Sequence, residues 1–231
     1  MDLDDALSKI EKAYGAPPLW YDIRGLFILT FAYRSALWTQ IVFFGNNMGP
    51  LHLEAAIGSG SLLGIVLAWR RLTGNAVISK IVGFDYAPAM LAGAIRRFRK
   101  TNGIRLLQAD AAALDFPPNH FDTINVANAI HCFPNVNSAL KEFCRVLKPS
   151  GSLAMNVLLF PRGVQPFRWI AKKINTWATR KGILKTPYEQ ADIRARIHEA
   201  GFTITSEKIT GNTLNVVAQK PIEAACAASQ V

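Results

Sequence analysis

From residue 51 onward, apolar runs with strand character alternate with segments whose apolar positions recur at helical spacing. The strand candidates are short and apolar throughout, and they cover residues 51–57, 80–85, 104–110, 121–128 and 152–159. Helix candidates lie between them, near 61–71, 88–100 and 137–147, the last with Asn137 as its expected N-cap. Apolar strands separated by helices indicate a parallel sheet that is covered by helices on both faces.

The C-terminal pattern is different. A helix near 188–200 is followed by two alternating runs, 203–209 and 213–220, which Thr210-Gly211-Asn212 joins. Alternating runs about a short Gly/Asn turn predict an antiparallel hairpin. We therefore expect an α/β fold, in which a doubly wound, Rossmann-like sheet of seven strands ends in an antiparallel β-hairpin and carries helical lids.

This pattern divides the 231 residues into parts around one core. An apolar stretch at 26–44 is long enough to span a membrane, but Arg34 lies in its middle, which favours a soluble or interfacial helix. The expected parts are an N-terminal helical lid (1–50), a core (51–160), a basic amphipathic lid insert (161–187), the end of the core with its hairpin (188–220) and a flexible tail (221–231).

Composition and charge narrow the classes of function. Cys132, Cys144 and Cys226 are too few and too scattered for a disulfide or zinc framework, so we expect a reduced, cytoplasmic protein without a metal site. The acidic N-terminal dodecapeptide MDLDDALSKIEK lacks the features of a targeting peptide. The net charge of +10 makes lipid head groups, nucleic acid and acidic substrates the candidate partners.

Acidic residues and glycines follow the predicted strands, at the edge where open sheets of this kind bind ligands. The glycines at 58, 60 and 64 miss the dinucleotide spacing G-x-G-x-x-G by one residue. The alternative pattern is an acid followed by alternating small residues, Glu54, Ala56, Gly58 and Gly60. An acid at this strand end suits a cationic ammonium better than a phosphate.

The heptapeptide EAAIGSG (54–60) resembles motif I of class I methyltransferases that depend on S-adenosylmethionine (SAM), with Ala56 in place of the first glycine. We expect this change to be modest if Ala56 keeps a negative φ. Asp85 resembles the motif II acid that accepts from both ribose hydroxyls, and Asp110 resembles the family's adenine clamp. The resemblance implies a SAM site formed by Glu54, Ala56, Gly58, Gly60, Asp85, Tyr86, Asp110, Ala111 and Asn128. Two local alternatives stay open: a glycine turn that only packs, and Asp85 as a helix N-cap.

Two later segments extend the resemblance to residues 51–160. NVANAIHCFPN (125–135) resembles the family's fourth-strand motif, and FCRVLKPSGSLAM (143–155) resembles its RVLKPGG-x-L signature, with Ser150 for the first glycine. The most similar subgroup is the small-molecule type that includes the ubiquinone and menaquinone C-methyltransferases. This implies in-line methyl transfer from SAM to a small, hydrophobic, ring-containing acceptor such as a quinol or a phenol.

Methyl transfer to a phenol or an acidic ring carbon releases one proton, and His131 is the candidate base because it follows the fourth strand. A histidine that only packs near Pro134 is the alternative. Two other functions also stay open: a catalytically inactive SAM-binding scaffold, and a methyltransferase for a soluble polar metabolite. The sequence does not fix the acceptor, the methylated atom type or the oligomeric state.

The segment 161–185 carries seven lysines and arginines and no acid. Its apolar residues form one helical stripe, Phe167, Ile170, Ile174, Trp177 and Ala178. Such a helix is typical of a membrane-surface element, and a lid packed on the sheet is the alternative. Peripheral association with an anionic membrane is therefore one expectation for this cytoplasmic protein. Nucleic acid ranks last, because Asn128-Ala129-Ile130-His131 lacks the tetrad of base-amine methyltransferases.

Overall fold

The computed structural model describes residues 36–75, 78–160, 169, 173, 176 and 188–222. Within these ranges the helices are α1 (Leu37–Asn46), α2 (Ser61–Leu72), α3 (Pro88–Phe98), α4 (Val136–Val146) and α5 (Gln190–Glu199), with a 3₁₀ turn at Ile130–Cys132. The strands are β1 (Leu51–Ala55), β2 (Lys80–Asp85), β3 (Ile104–Gln108), β4 (Phe121–Val126), β5 (Leu147–Leu158), β6 (Thr203–Thr210) and β7 (Thr213–Gln219).

These strands form one sheet in the order β3-β2-β1-β4-β5-β7-β6. Strands β1 to β5 pair in parallel, and β7 runs antiparallel to both of its neighbours. The winding reverses between β1 and β4, because the chain first builds outward to β3 and then returns to the other side of β1. The predicted doubly wound sheet with a terminal antiparallel hairpin is confirmed.

Two apolar clusters, one on each face, hold the helices against the sheet. Leu53 and Ile124 belong to the larger cluster, which includes buried residues of α4 and α5. The smaller cluster joins α1, α2 and α3 through residues such as Phe44, Val66 and Phe98. Because side chains alternate along a strand, His52 and Glu54 of β1 point to the face opposite Leu53. Two polar side chains are thus buried under the layer formed by α1, α2 and α3.

Two helix starts differ from the sequence-based expectation. Asn135, not Asn137, caps α4, since its Oδ1 accepts a hydrogen bond of 3.1 Å from the N–H of Ser138. Helix α5 begins at Gln190, because Tyr188 is extended and forms a parallel bridge with Leu159 at the end of β5. A local capping bond thus sets the start of α4, whereas a contact with a distant strand sets the start of α5.

The predicted N-terminal lid is described only from residue 36, where α1 begins its packing on α2. Most of the predicted insert 161–187 lies outside the described residues, including all five residues of its apolar stripe. Within the insert the structure describes Trp169, Lys173 and Thr176. Among the helices that the structure describes, none has the length and apolar character needed to cross a bilayer. The predicted domain boundaries stay predictions.

Candidate cofactor and active site

The turn after β1 follows a left-handed backbone path at alternate positions. Ala56, Gly58 and Gly60 have φ values of 51°, 59° and 73°. A Cβ at Gly60 would lie 2.5 Å from Cε2 of Phe98, so both the backbone and the packing require glycine there. A Cβ at Gly58 would meet no atom within 4 Å. The backbone is therefore exposed above Gly58, where a ligand lying against the turn needs space.

Ala56 does not keep the negative φ that was expected of it. With a φ of 51° it occupies the left-handed region, and Ser150 does the same with a φ of 63°. These two residues are the positions at which the chain replaces a family glycine. This conformation is less favourable by about 1–2 kcal/mol for a residue that has a Cβ. The premise of that expectation, a negative φ at Ala56, is therefore wrong. The backbone nevertheless follows the path that a glycine would allow.

Asp85 connects the end of β2 to the glycine turn. Its Oδ2 accepts a hydrogen bond of 2.8 Å from the N–H of Gly58, and its Oδ1 accepts one of 2.9 Å from the N–H of Ala87. Burial raises the pKa of this carboxyl, and the backbone hydrogen bonds oppose that rise. The N-cap position of α3 is Ala87, so the alternative of Asp85 as a cap is wrong.

The ends of β2 and β3 lie side by side. The N–H of Ala109 donates to the carbonyl of Asp85 over 3.3 Å, and Nε2 of Gln108 donates to the carbonyl of Tyr86 over 3.0 Å. Asp110 follows directly, and its Oδ1 accepts a hydrogen bond of 2.9 Å from the N–H of Ala112. The two predicted acids and Tyr86 are therefore neighbours along one edge of the sheet.

The carboxyl group of Glu54 contacts a buried histidine of the same strand. Nε2 of His52 lies 3.1 Å from Oε2 of Glu54, and Nδ1 of His52 lies 2.8 Å from Oγ1 of Thr123 on β4. Because a carboxylate only accepts, Nε2 carries the proton in this contact. The hydroxyl of Thr123 lies at the other ring nitrogen, where it can donate or accept a hydrogen bond. The side chain of Glu54 is thereby fixed in place below the glycine turn.

Asn128 is held at the end of β4 by two residues that the sequence did not single out. Its N–H and its Oδ1 pair with the side-chain amide of Asn156, at 2.5 and 2.7 Å. Its Nδ2 donates to Oε1 of Gln40 on α1 over 2.9 Å. This pairing accompanies a φ of 54° at Asn128. Asparagine tolerates the left-handed region better than most residues, which is the one local signal that its sequence offers.

His131 lies in the 3₁₀ turn that follows β4, with a relative exposure of 7%. Its Nδ1 is buried and has no hydrogen-bond partner among the residues that the structure describes. Burial lowers the pKa of His131 to about 4, so the imidazole is neutral at pH 7. A buried polar atom without a partner costs free energy, and such atoms in native proteins call for an explanation such as a bound ligand group.

Tyr188 and Arg97 are further residues near this edge that the sequence did not reveal. Tyr188 is bridged to the end of β5, and burial raises the pKa of its phenol, with Cys132 and Arg196 close enough to act on it. Arg97 supports the glycine turn from α3, donating to the carbonyl of Ser59 over 3.1 Å and to Oγ of Ser61 over 2.7 Å. Both residues contact segments that are far apart from them in sequence, so no local sequence pattern predicts these contacts.

Residues 53–155 match a family model described as a methyltransferase domain. The chain is 40% identical over 111 residues to a demethylmenaquinone methyltransferase of Thermus thermophilus, covering 47% of this chain and 46% of that protein. It is 34% identical over 122 residues to the ubiquinone/menaquinone biosynthesis C-methyltransferase UbiE of Azotobacter vinelandii, covering 51% and 46%. The fold is similar to that of the trans-methyltransferase CalH in complex with SAH, with a TM-score of 0.57, 21% identity and coverage of 78% and 54%.

Residues 53–155 are thus similar to a methyltransferase domain, and the fold is that of solved SAM-dependent methyltransferases. It spans about half the length of the curated relatives named above. The methyl donor of this family is SAM.

The residues of this methyltransferase domain fit SAM. The space above Gly58 that a Cβ would fill leaves the backbone accessible to a ligand, and the buried carboxylate of Asp85 lies directly beside it. A carboxylate has about four lone-pair sites, and the backbone N–H groups of Gly58, Ala87 and Tyr86 act on that of Asp85. A site thus remains to accept a hydrogen bond from a ribose hydroxyl.

Proposed function

We propose that this chain catalyses methyl transfer from SAM to a small, hydrophobic, ring-containing acceptor such as a quinol or a phenol. One observation carries the proposal. The glycine turn, tied to Asp85, and the unpaired Nδ1 of the buried His131 lie at the carboxyl ends of the adjacent strands β1, β2 and β4. A site for the methyl donor and a group that accepts a proton therefore share one edge of the sheet.

Bound SAM supplies an electrophilic methyl group on a sulfonium. We assign the ribose hydroxyls to Asp85, and the adenine to Asp110 and the N–H of Ala111, flanked by Tyr86. The fixed orientation of the Asp85 carboxylate supports this assignment, because its backbone partners leave it little freedom to turn away. These residues hold the donor at one position relative to the edge of the sheet, and positioning supplies much of the rate of an in-line displacement.

In this proposal the glycine turn after β1 binds the methionine part of SAM. The backbone at Ala56, Gly58 and Gly60 passes beneath it, and Glu54 faces its ammonium group. The contact of His52 with Glu54 supports that role, because it fixes the carboxylate without neutralising it through a lysine or an arginine. Asn128, which Asn156 and Gln40 hold at the end of β4, would bound the donor site on the other side of the turn.

His131 takes the proton in the proposed reaction. The acceptor's electron pair would form the bond to the methyl carbon while the methyl–sulfur bond breaks and its electron pair stays on sulfur, and the proton that the acceptor loses would go to Nδ1 of His131. A pKa of about 4 keeps the imidazole neutral at pH 7, so that one ring nitrogen is free of a proton, and the proposal assigns this nitrogen as Nδ1. A weak base suffices, because the acceptor's proton becomes far more acidic as its electron pair is drawn into the new bond.

Four observations support a hydrophobic acceptor. The two residues before His131, Ala129 and Ile130, are apolar and buried. The predicted N-terminal lid (1–50) is rich in aromatic residues, and the predicted insert (161–187) is rich in basic residues and has no acid. In the described part of the insert, Nζ of Lys173 lies 3.9 Å from the centroid of the Trp169 ring. The relative from Thermus thermophilus is named for a demethylmenaquinone, which is an acceptor of this chemical class.

We further propose that the protein is cytoplasmic and takes its acceptor from an anionic membrane surface. Basic and aromatic residues on one lid favour such a surface over a soluble polar acceptor. The net charge of +10 acts in the same direction.

A SAM-binding scaffold without activity is the second candidate, and the replacements Ala56 and Ser150 are what raise it. Both residues keep the left-handed φ of a glycine, so the turn retains its path and the observation favours activity.

Turnover tests the proposal. The purified chain is incubated with SAM and a short-chain demethylmenaquinol, and S-adenosylhomocysteine is quantified. We expect formation that depends on the quinol and is lost in His131→Ala. Tight SAM binding without turnover on any quinol, phenol or cell extract would instead identify the scaffold.

A further inference from the structure

Exposed charge is distributed unevenly over this molecule. Between residues 36 and 109 the acidic residues are Glu54 and Asp85, and both are buried, with relative exposures of 5% and 9%. The same stretch contains eight lysines and arginines. Arg70 among them is buried, and Arg97 is bound to the glycine turn. Six exposed cations remain, with no exposed carboxylate among the described residues of that stretch: Arg71, Lys80, Arg96, Arg99, Lys100 and Arg105.

The fold gathers these cations at one place. Helices α2 and α3 run back between parallel strands, so their C-terminal ends both lie at the amino edge of the sheet, where β2 and β3 begin. Arg71, Arg96 and Arg99 belong to those helix ends, and Lys80 is the first residue of β2. The edge of the sheet opposite the candidate SAM site is therefore strongly basic.

Exposed and half-buried apolar side chains lie on the same helical layer, and Trp69 is the half-buried one. Ile65, Trp69 and Leu72 follow each other at i, i+4 and i+7 on α2, which is one stripe of a helix. Leu72 has a relative exposure of 88%. Trp38 of α1, with 61%, packs edge-on against Trp69 at a centroid distance of 6.3 Å. Ile95 is exposed on α3 between these groups and the cations of its own helix end. We call these five apolar residues and the six cations the basic–apolar face.

We propose that the basic–apolar face docks this protein on an anionic phospholipid bilayer. The cations complement the phosphate charge, each contributing roughly a fivefold gain in affinity near an anionic surface. Aliphatic groups such as Leu72, Ile65 and Ile95 gain free energy by entering the interface between head groups and chains. Nucleic acid is less suitable, since three of the five apolar residues of this face are aliphatic and do not stack on bases as aromatic ones do.

Helix α1 connects this face to the candidate active site. Trp38 lies on the outer side of α1, and Gln40, two residues later, is buried and hydrogen-bonded to Asn128. One short helix thus contacts both the proposed bilayer surface and the carboxyl edge of the sheet. The docking proposal rests on the membrane contact in the proposed function and assigns it to this face, and it does not depend on methyl transfer.

Co-sedimentation of the full chain with vesicles tests the proposal. We expect binding at low salt to phosphatidylcholine vesicles that contain phosphatidylglycerol, and none to phosphatidylcholine alone. The variant Arg96→Gln/Arg99→Gln should bind roughly tenfold more weakly or worse. The matched control Lys141→Gln/Lys208→Gln loses the same charge from α4 and β6, away from this face, and should bind within about twofold of the wild type.

An apolar variant separates lipid insertion from charge alone. Leu72→Ser/Ile95→Ser should weaken vesicle binding even at high salt, because apolar burial is not screened. Unchanged melting temperature and SAM affinity in all variants show that the fold and the SAM site are intact. The proposal is overturned if the wild type stays in the supernatant at low salt, or if the matched control loses as much binding as Arg96→Gln/Arg99→Gln. It is also overturned if duplex RNA binds more tightly than the vesicles and Leu72→Ser/Ile95→Ser changes nothing.

Discussion

Oδ2 of Asp85 accepts a hydrogen bond of 2.8 Å from the N–H of Gly58, across 27 residues of sequence. The acid at the end of the second strand therefore fixes the glycine turn at the end of the first. Because Oδ1 is held as well, by the N–H of Ala87, the carboxylate has one defined orientation. The candidate SAM site is thus organised by contacts within the protein itself.

Replacing Asp85 by alanine should weaken SAM binding and folding together. Loss of hydrogen bonds to a charged group weakens SAM affinity by about 1.5–3 kcal/mol, and the N–H groups of Gly58 and Ala87 lose their partner. Titration calorimetry with SAM and urea unfolding measure the two effects. Arg97→Gln is a suitable comparison, because it removes a support of the same turn that has no assigned contact with ribose. SAM affinity that survives Asp85→Ala would leave Asp85 with a structural role only.

Gly58 and Gly60 should separate binding from folding. In Gly60→Ala the new Cβ meets the Phe98 ring, so we expect a loss of stability of about 2–4 kcal/mol from overpacking and a strained φ. In Gly58→Ala the Cβ enters open space, so the stability loss is about 1–2 kcal/mol. SAM affinity should nevertheless fall more in Gly58→Ala, because the methyl group occupies the ligand's space. Equal SAM affinity in wild type and Gly58→Ala would contradict the proposed position of the cofactor.

Ala56→Gly and Ser150→Gly should both stabilise the protein, by about 1 kcal/mol each, because glycine relieves the strain of their positive φ values. Glycine also gains freedom in the unfolded chain, which reduces the benefit. Urea unfolding of each variant checks the prediction. Ala68→Gly, in the middle of α2, is the matched control and should destabilise by about 1 kcal/mol. A destabilising Ala56→Gly would show that the turn does not keep this backbone conformation.

The sequence predicted the sheet well because its signals are local. Apolar strand runs and intervening helices gave the winding, and Gly211 with Asn212 marked the hairpin, which the structure confirms between β6 and β7. The acids at strand ends were found for the same reason, since Asp85 is the last residue of β2 and Asp110 comes two residues after β3.

The supporting contacts could not be predicted, because they join distant segments. Asn156 holds Asn128 across 28 residues, and Gln40 reaches Asn128 across 88. His52 looked structural in the sequence, and only the fold shows that it contacts Glu54 and Thr123. The φ of Ala56 was predicted with the wrong sign, because alanine itself prefers negative φ and the tertiary turn overrides that preference.

The buried His131 should make stability depend on pH. Its pKa is about 4 in the folded protein and 6.5 in the unfolded chain, so below pH 6.5 the unfolded state binds the proton first. Stability should therefore fall as the pH drops from 6.5 to about 4, by about 3 kcal/mol for this group. Urea unfolding at several pH values, compared with His131→Gln, isolates this contribution. If the free energy of unfolding of His131→Gln depends on pH as that of the wild type does, the environment of His131 is more polar than its burial implies.

Calorimetric titration of the wild-type chain with SAM, and separately with NADH, tests the central claim most directly. The glycine spacing, the acid at the end of β1 and the open backbone above Gly58 all favour SAM over a dinucleotide. We expect saturable binding of SAM with one site per chain and no heat of binding with NADH. Saturable binding of NADH without binding of SAM would contradict the account.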